Sequence, residues 1–503
     1  MKVSPLPLLA VLTLLAPPAF AASELGKVDF PNSGSPAAQA PFLRGIAALH
    51  SFWYDEAADA FREAQKADPG FALAYWGEAL TYDHPIWGEQ DRDAALAVLA
   101  RLAPTREARA AKAPTEREKG FLEAVEILYG EGEKPARNAA YAEALRKLHE
   151  RFPEDLEIAT FYSLSLIGPA LTGPAGAERD RPLIRAAAIL EELFDRNREH
   201  PGVLHYMIHA YDDPLHAPLG LRAARLYAKT APAAHHALHM PSHIFVQIGD
   251  WPAAVASNEE AWAASVAWVE RRRLSPDKRD FHSLSWLLYA YLQQGRLGKA
   301  RDTLEVARQA RESDAPRVVN SLKDMEARYL VETGGWRKNL AQAAEMEGGG
   351  HHCHGGGAMP ADQGGKILEK QVSALALLAK EDSEGALKLL AEAAEDEARM
   401  PPPMGPPDPA KPAHELYGEV LLELGRAEEA GRQFDLALLR TPNRTASLLG
   451  AARAAAKRGD AQAARAHYGK LAEIWRQADP DVPELAEVRS YLGSPREGRP
   501  ASP

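Results

Sequence analysis

Two short stretches of the chain carry the same pair of imidazoles. "LHYMIHA" at 204–210 holds His205 and His209, and "LHMPSHI" at 238–244 holds His239 and His243. Both members recur after 34 residues. On a helix, residues four apart share a face, so each stretch offers two imidazoles side by side. Imidazole binds Zn, Cu, Ni or Fe, and two such half-sites on neighbouring helices can supply three or four nitrogens to an ion. Candidate additions are His236, three residues before His239, together with His282, Asp212 and Asp213, as an extra ligand, an oxygen ligand or an outer partner. Neither stretch has the Glu of an HExxH zinc protease, since residues 206–208 are Tyr-Met-Ile and 240–242 are Met-Pro-Ser. Three other readings stand beside the metal site. They are a polar groove for a peptide or small ligand, inherited packing residues, and a groove whose affinity changes as clustered histidines gain charge between about pH 5 and 7.

The elements that must position these residues are helices, because Ala and Leu abound and β-branched residues are sparse. In 42–80, Gly45, Ala57, Phe61, Ala64 and Pro69 recur at fixed spacing. Gly45 lets two antiparallel helices approach, Ala57 sits at their crossing, Phe61 fills the gap to the next hairpin and Pro69 ends the second helix. Gly418, Gly425, Ala430, Phe434 and Pro442 repeat the pattern, and Gly459, Ala464 and Tyr468 follow one period later. The middle is looser, with Gly249/Ala254 and Gly295/Ala300, and residues 101–200 are helical but match poorly.

This pattern resembles the tetratricopeptide repeat (TPR) family. The resemblance implies an all-α, right-handed superhelical solenoid of antiparallel helix hairpins whose first helices line a concave groove. Placing Gly249 at repeat position 15 puts His205 and His239 at position 5 and His209 and His243 at position 9, with Asp212 and Asp213 at 12 and 13. In the TPR family these positions face the groove. The same reasoning places His50, His84, His282 and His414 toward the groove, with Trp87 at its rim.

The expected organisation is a signal peptide at 1–21, an extended segment at 22–40, an irregular TPR-like array at 41–344 and a Gly/His-rich loop at 345–366. A hairpin at 367–398, a Pro-rich connection at 399–413, TPR hairpins at 414–478 and a tail at 479–503 follow. The leader has Lys2, an apolar run and Ala19-Phe20-Ala21 in a small-x-small cleavage pattern. It predicts an exported, periplasmic or secreted protein. Cys353 is the single cysteine, so no intramolecular disulfide forms. The "HHCH" run at His351–His354 is flanked by glycines and has no preset geometry for an ion. A formal net charge of −11 argues against nucleic-acid binding, and after the leader no apolar run is long enough to span a membrane.

The stretches "LHSFWYDEA", "AYWGEALTYDHPIW", "HALHMPSHIFVQIGDW" and "KPAHELYGE" resemble a group of exported bacterial TPR proteins. That resemblance implies fold and export, and implies no reaction. TPR proteins generally bind proteins or peptides. The sequence therefore predicts an exported TPR binding or scaffold protein, taking a protein, peptide or small ligand in its groove, with a histidine patch holding Zn or Cu. The alternative is a metalloenzyme on the same frame, with an open metal position and the Pro-rich segment folded over it as a lid.

Overall fold

The computed structural model describes residues 24–173, 176–335 and 363–493. The leader at 1–21 and the His351–His354 run lie outside the described residues.

The architecture is the all-α solenoid of antiparallel hairpins that the repeat spacing predicts. Helix Pro36–His50 packs on Tyr54–Ala67, Leu156–Leu171 on Ala177–Arg196, Pro201–Ala210 on Ala217–Thr230, Ala413–Glu423 on Ala427–Arg440, and Thr445–Lys457 on Ala461–Ile474. Local chemistry starts many of these helices. Asp250, Asp280, Asp382 and Asp460 are N-caps whose carboxylates accept from the backbone N–H three residues on. The turn glycines Gly249 and Gly295 take left-handed backbone, φ 71° and 68°, which a glycine adopts without strain.

The small residues are needed where aromatic wedges enter. A Cβ on Gly45 would lie 2.8 Å from the Phe61 ring, and one on Gly77 would lie 2.4 Å from it. Phe61 is therefore clamped between the helix before and the helix after its own. Phe434 repeats the arrangement between Gly418 and Gly450, where the distances are 3.0 and 2.2 Å. Gly77→Ala and Gly450→Ala are each expected to lower unfolding stability by about 1–3 kcal/mol through overpacking. Urea denaturation checks this; an unchanged midpoint for either would show that the ring is free to move aside.

The array is not an open arc. Asn443 Nδ2 donates to the Ile248 carbonyl at 2.7 Å, Trp475 Nε1 to the Gln293 carbonyl at 3.1 Å, and Asp479 N to the Gly295 carbonyl at 3.0 Å. The last hairpins thus latch onto the turns of the central ones. The segment 479–503, expected as a tail, carries helix Leu485–Gly493, which packs on Ala461–Ile474 and buries Val488. Helix Pro36–His50 likewise begins inside the segment expected to be extended.

The Pro-rich connection runs as an irregular strap across the centre. Its Pro403 carbonyl accepts from Gln247 Nε2 at 2.7 Å and its Pro407 carbonyl from Arg328 Nη1 at 2.8 Å. Gly405 lies so close to Trp286 that a Cβ would fall 2.2 Å from the indole. Among the described residues, no helix is long and apolar enough to cross a membrane.

Candidate metal centre

Helix Pro201–Ala210 starts with Pro201 at its first position and carries His205 and His209 one turn apart. The second pair is built differently. His239 ends the short helix His235–His239, and Pro241 starts a new one, Pro241–Ile248, that carries His243. His282 stands in the first turn of Phe281–Gln293.

These elements bring six imidazoles together in two sets of three. His205, His209 and His236 form one set, and His239, His243 and His282 the other, each with ligand atoms all within 4.8 Å of one another. The sets adjoin: the His209 and His243 rings are 5.9 Å apart and the His236 and His239 rings 6.1 Å apart. Within them, Nε2 of His205 lies 3.1 Å from that of His209 and 3.2 Å from that of His236, and Nε2 of His239 lies 3.2 Å from that of His243. Nitrogens bound at about 2.0–2.1 Å to one tetrahedral ion sit about 3.3 Å apart.

The outer ring nitrogens define which tautomers are present. His205 Nδ1 faces the His50 carbonyl at 2.7 Å, and a carbonyl only accepts, so Nδ1 carries the proton. His239 Nδ1 faces Asn258 Oδ1 at 2.6 Å, while Asn258 Nδ2 donates to the Ala254 carbonyl at 2.8 Å. Both Nε2 atoms are therefore lone pairs aimed into their sets. His243 Nδ1 pairs with Asp212 Oδ2 at 2.6 Å, and Asp212 Oδ1 accepts from Gln247 Nε2 at 3.1 Å. A carboxylate behind a ligating imidazole is the usual outer partner of a bound ion. Burial pushes the Asp212 carboxyl up; a cation beyond the ring would favour its ionised form.

Five of the six imidazoles are buried, His205, His239 and His243 completely, and His282 is half-buried. Burial lowers the proton affinity of all six, with His239 and His243 pushed down to about 3. They are neutral at physiological pH, the form that ligates. The histidines converge as the repeat register requires, but inside the wall, under the strap, and not along an open groove. Trp286 closes the second set, its ring 4.3 Å from His243 and 5.0 Å from His239.

A third cluster, His50, Glu157 and His200, has the opposite chemistry. His200 Nδ1 accepts from the Val203 N–H at 3.2 Å, so its Nε2 carries the proton and donates to Glu157 at 2.9 Å. His50 Nε2 lies 2.9 Å from the other Glu157 oxygen, with Tyr206 Oη 3.0 Å from its Nδ1. Two N–H groups already occupy the carboxylate, so this is a closed hydrogen-bond network and not a third ion site. It holds Glu157 down to about 2: burial raises the carboxyl, and the two rings outweigh it. The network braces the centre, since the His50 carbonyl anchors His205.

The other expected site residues stand elsewhere. Asp213 pairs with His216 Nδ1 at 2.7 Å and belongs to neither set. His50 is sealed in the network and does not face a groove. His84 stacks on Tyr54 at 4.1 Å, and its Nε2 lies 3.2 Å from the Thr81 carbonyl. Trp87 lies 6.1 Å from His236, in the layer behind the first set. His414 pairs through Nδ1 with Gln433 Oε1 at 2.7 Å, away from both sets. Sequence reasoning missed Glu157, His200 and Asn258. Only His200 left a trace, as a polar residue before Pro201 in an N-cap position.

No protein-family model matches the chain, and no curated protein matches its sequence. Solved structures similar to the chain include the following. A Cut9–Hcn1 hetero-tetramer of the APC/C is 11% identical, with 92% of this chain and 78% of that one covered and a TM-score of 0.40. A monomeric mutant of IFIT1 with m7Gppp-AAAA is 13% identical over 84% and 89%, TM-score 0.39. The human IFIT1 dimer with m7Gppp-AAAA is 13% identical over 90% and 92%, TM-score 0.38.

Proposed function

We propose that this chain is an exported metalloenzyme built on a TPR-like solenoid, holding two transition-metal ions side by side in its two tris-imidazole sets. The observation that carries the reading is the convergence of Nε2 atoms whose opposite ring nitrogens, in His205 and His239, are committed as donors. Three protein nitrogens per ion leave a coordination position for water or dioxygen, as in catalytic and not structural sites. Sets made only of imidazole, with no thiolate or carboxylate in them, favour copper, the strongest binder of the divalent series. The leader supports export. The metal-free scaffold reading is weaker, because it leaves six imidazoles, five of them buried, facing one another without a task and its groove is crossed by the strap.

Copper loading followed by desalting and elemental analysis tests this, and two ions per chain are expected. Two adjacent Cu(II) ions couple magnetically, so the paramagnetic resonance signal is expected to account for much less copper than the analysis finds. Negligible copper and zinc after loading would overturn the metal centre. One ion per chain with a full-strength signal would overturn the pair.

A further inference from the structure

Behind the first imidazole set lies a cleft that the metal reading does not use. It is a partly open space of about 550 Å³, open solvent included, between helices Tyr54–Ala67, Lys134–Arg151 and Leu156–Leu171 and the loop around Pro85. Its walls are mostly apolar and include the rings of Phe52, Tyr54, Tyr141 and Phe161. Set among them are three oxygen-bearing groups. Asn138 Oδ1 and Tyr54 Oη are buried atoms with no hydrogen-bond partner among the described residues. The Asp83 carboxylate accepts from Gln90 Nε2 at 2.8 Å through one oxygen. Buried polar atoms of this kind call for a ligand or a water. The Asn138 oxygen only accepts, so it calls for a ligand that donates, and the Asp83 carboxylate accepts likewise in its ionised form.

Phe52 joins this cleft to the imidazoles. Its ring lines the cleft and also lies 4.3 Å from His205, 5.7 Å from His236 and 5.9 Å from His209. Its backbone is left-handed, φ 51°, at the end of helix Pro36–His50. There the Phe52 N–H bonds the Leu49 carbonyl at 3.0 Å and the Trp53 N–H bonds the Ala48 carbonyl at 2.9 Å. That helix-ending motif places glycine at this position, and a bulky aromatic there is strained. Strain of this kind is kept where a side chain must be held in place.

We propose that the cleft binds a small aromatic molecule bearing a hydrogen-bond donor, of which a phenol is the simplest, with its ring against Phe52 and its donor toward Asn138 Oδ1 and Asp83. A single ring, that of Phe52, then separates the bound molecule from His205. The site exists with or without ions, so it stands independently of the metal reading.

The test is fluorine NMR titration of the metal-free and the copper-loaded full-length mature protein with 4-fluorophenol, with fluorobenzene as the probe lacking a donor. Saturable 4-fluorophenol binding is expected, with a dissociation constant on the order of 0.1–1 mM for so small a ligand. Fluorobenzene is expected to bind about tenfold more weakly, the worth of one buried hydrogen bond. Leu164→Trp fills the cleft and is expected to abolish binding. Asn138→Ala, on a half-buried helix position that tolerates truncation, is expected to erase the preference for the phenol whether or not the Trp variant folds. Equal binding of the two probes to the unaltered protein, or undiminished phenol binding by a folded Leu164→Trp protein, overturns the proposal. Phenol binding without copper retention upholds it while the metal reading fails, and copper retention without phenol binding does the reverse.

Discussion

Replacing His205 or His239 by alanine is expected to remove one ion each, and replacing both is expected to remove the pair. Each residue belongs to a different set of three; His205 Nε2 faces those of His209 and His236, and His239 Nε2 faces that of His243. Losing one nitrogen leaves two, too few to hold an ion through desalting. Elemental analysis after copper loading should therefore read two, one, one and none for the parent, the two single variants and the double. Asn258→Ala and Asp212→Asn remove outer partners only, and are expected to weaken copper binding about 10–100-fold without abolishing it. The control is Glu157→Gln, which alters the third cluster and should keep both ions. A His205→Ala protein that still holds two ions would show that the sets are not independent sites. Loss of both ions from Glu157→Gln with the fold intact would show that the third cluster, which braces His205 through the His50 carbonyl, is needed to hold the ions.

Glu157→Gln carries the second large effect, on stability and its acid dependence. The carboxylate is completely buried between two imidazole N–H donors, and its pKa stands at about 2 against an ordinary 4.5. A carboxyl depressed in the folded state binds fewer protons there than in the unfolded chain. It stabilises above the unfolded value, and that contribution is lost as the pH falls toward the folded one. The gap corresponds to about 3 kcal/mol at pH 7, of which about 2 is gone by pH 3. Burial lowers the proton affinity of His50, against the pull of Glu157. Urea denaturation of the metal-free parent and variant should show the parent ahead by about 3 kcal/mol at pH 7 and by about 1 kcal/mol at pH 3. Other acidic groups titrate in both proteins and cancel in the difference. A gap that does not narrow with acid would mean that Glu157 is protonated in the folded protein.

The repeat was readable because it is written in obligatory contacts. Gly45, Phe61 and Gly77 must be what they are for three helices to close on one ring, and the same constraint recurs at Gly418, Phe434 and Gly450. The four histidines inherited that register, so their meeting was readable too. The division into sets was not. It depends on the break at Pro241, which lets His239 and His243 come from two helices, and on His236 and His282 reaching across from neighbouring elements. Burial was misread because groove-facing positions are exposed only if nothing lies in the groove. Here the strap from Met400 to Pro412 does, and no spacing rule says where a proline-rich connection will settle. Glu157 gave no signal at all, since an acidic residue in the first turn of a helix is the commonest of dipole partners. Its role is visible only once His50, more than a hundred residues earlier, arrives beside it.

The strap also sets the order of events during synthesis. All six imidazoles are present once residue 282 has been made, yet the strap that packs on Trp286 beside the second set comes from residues 403–405, and the hairpins that latch around Ile248 and Gln293 come later still. A nascent chain halted near residue 390 would own every one of these imidazoles but not the strap beside the second set. If the sets hold ions as proposed, docking of the strap and the last hairpins closes the second set over its ion, and a protein lacking that C-terminal part would leave the set uncovered.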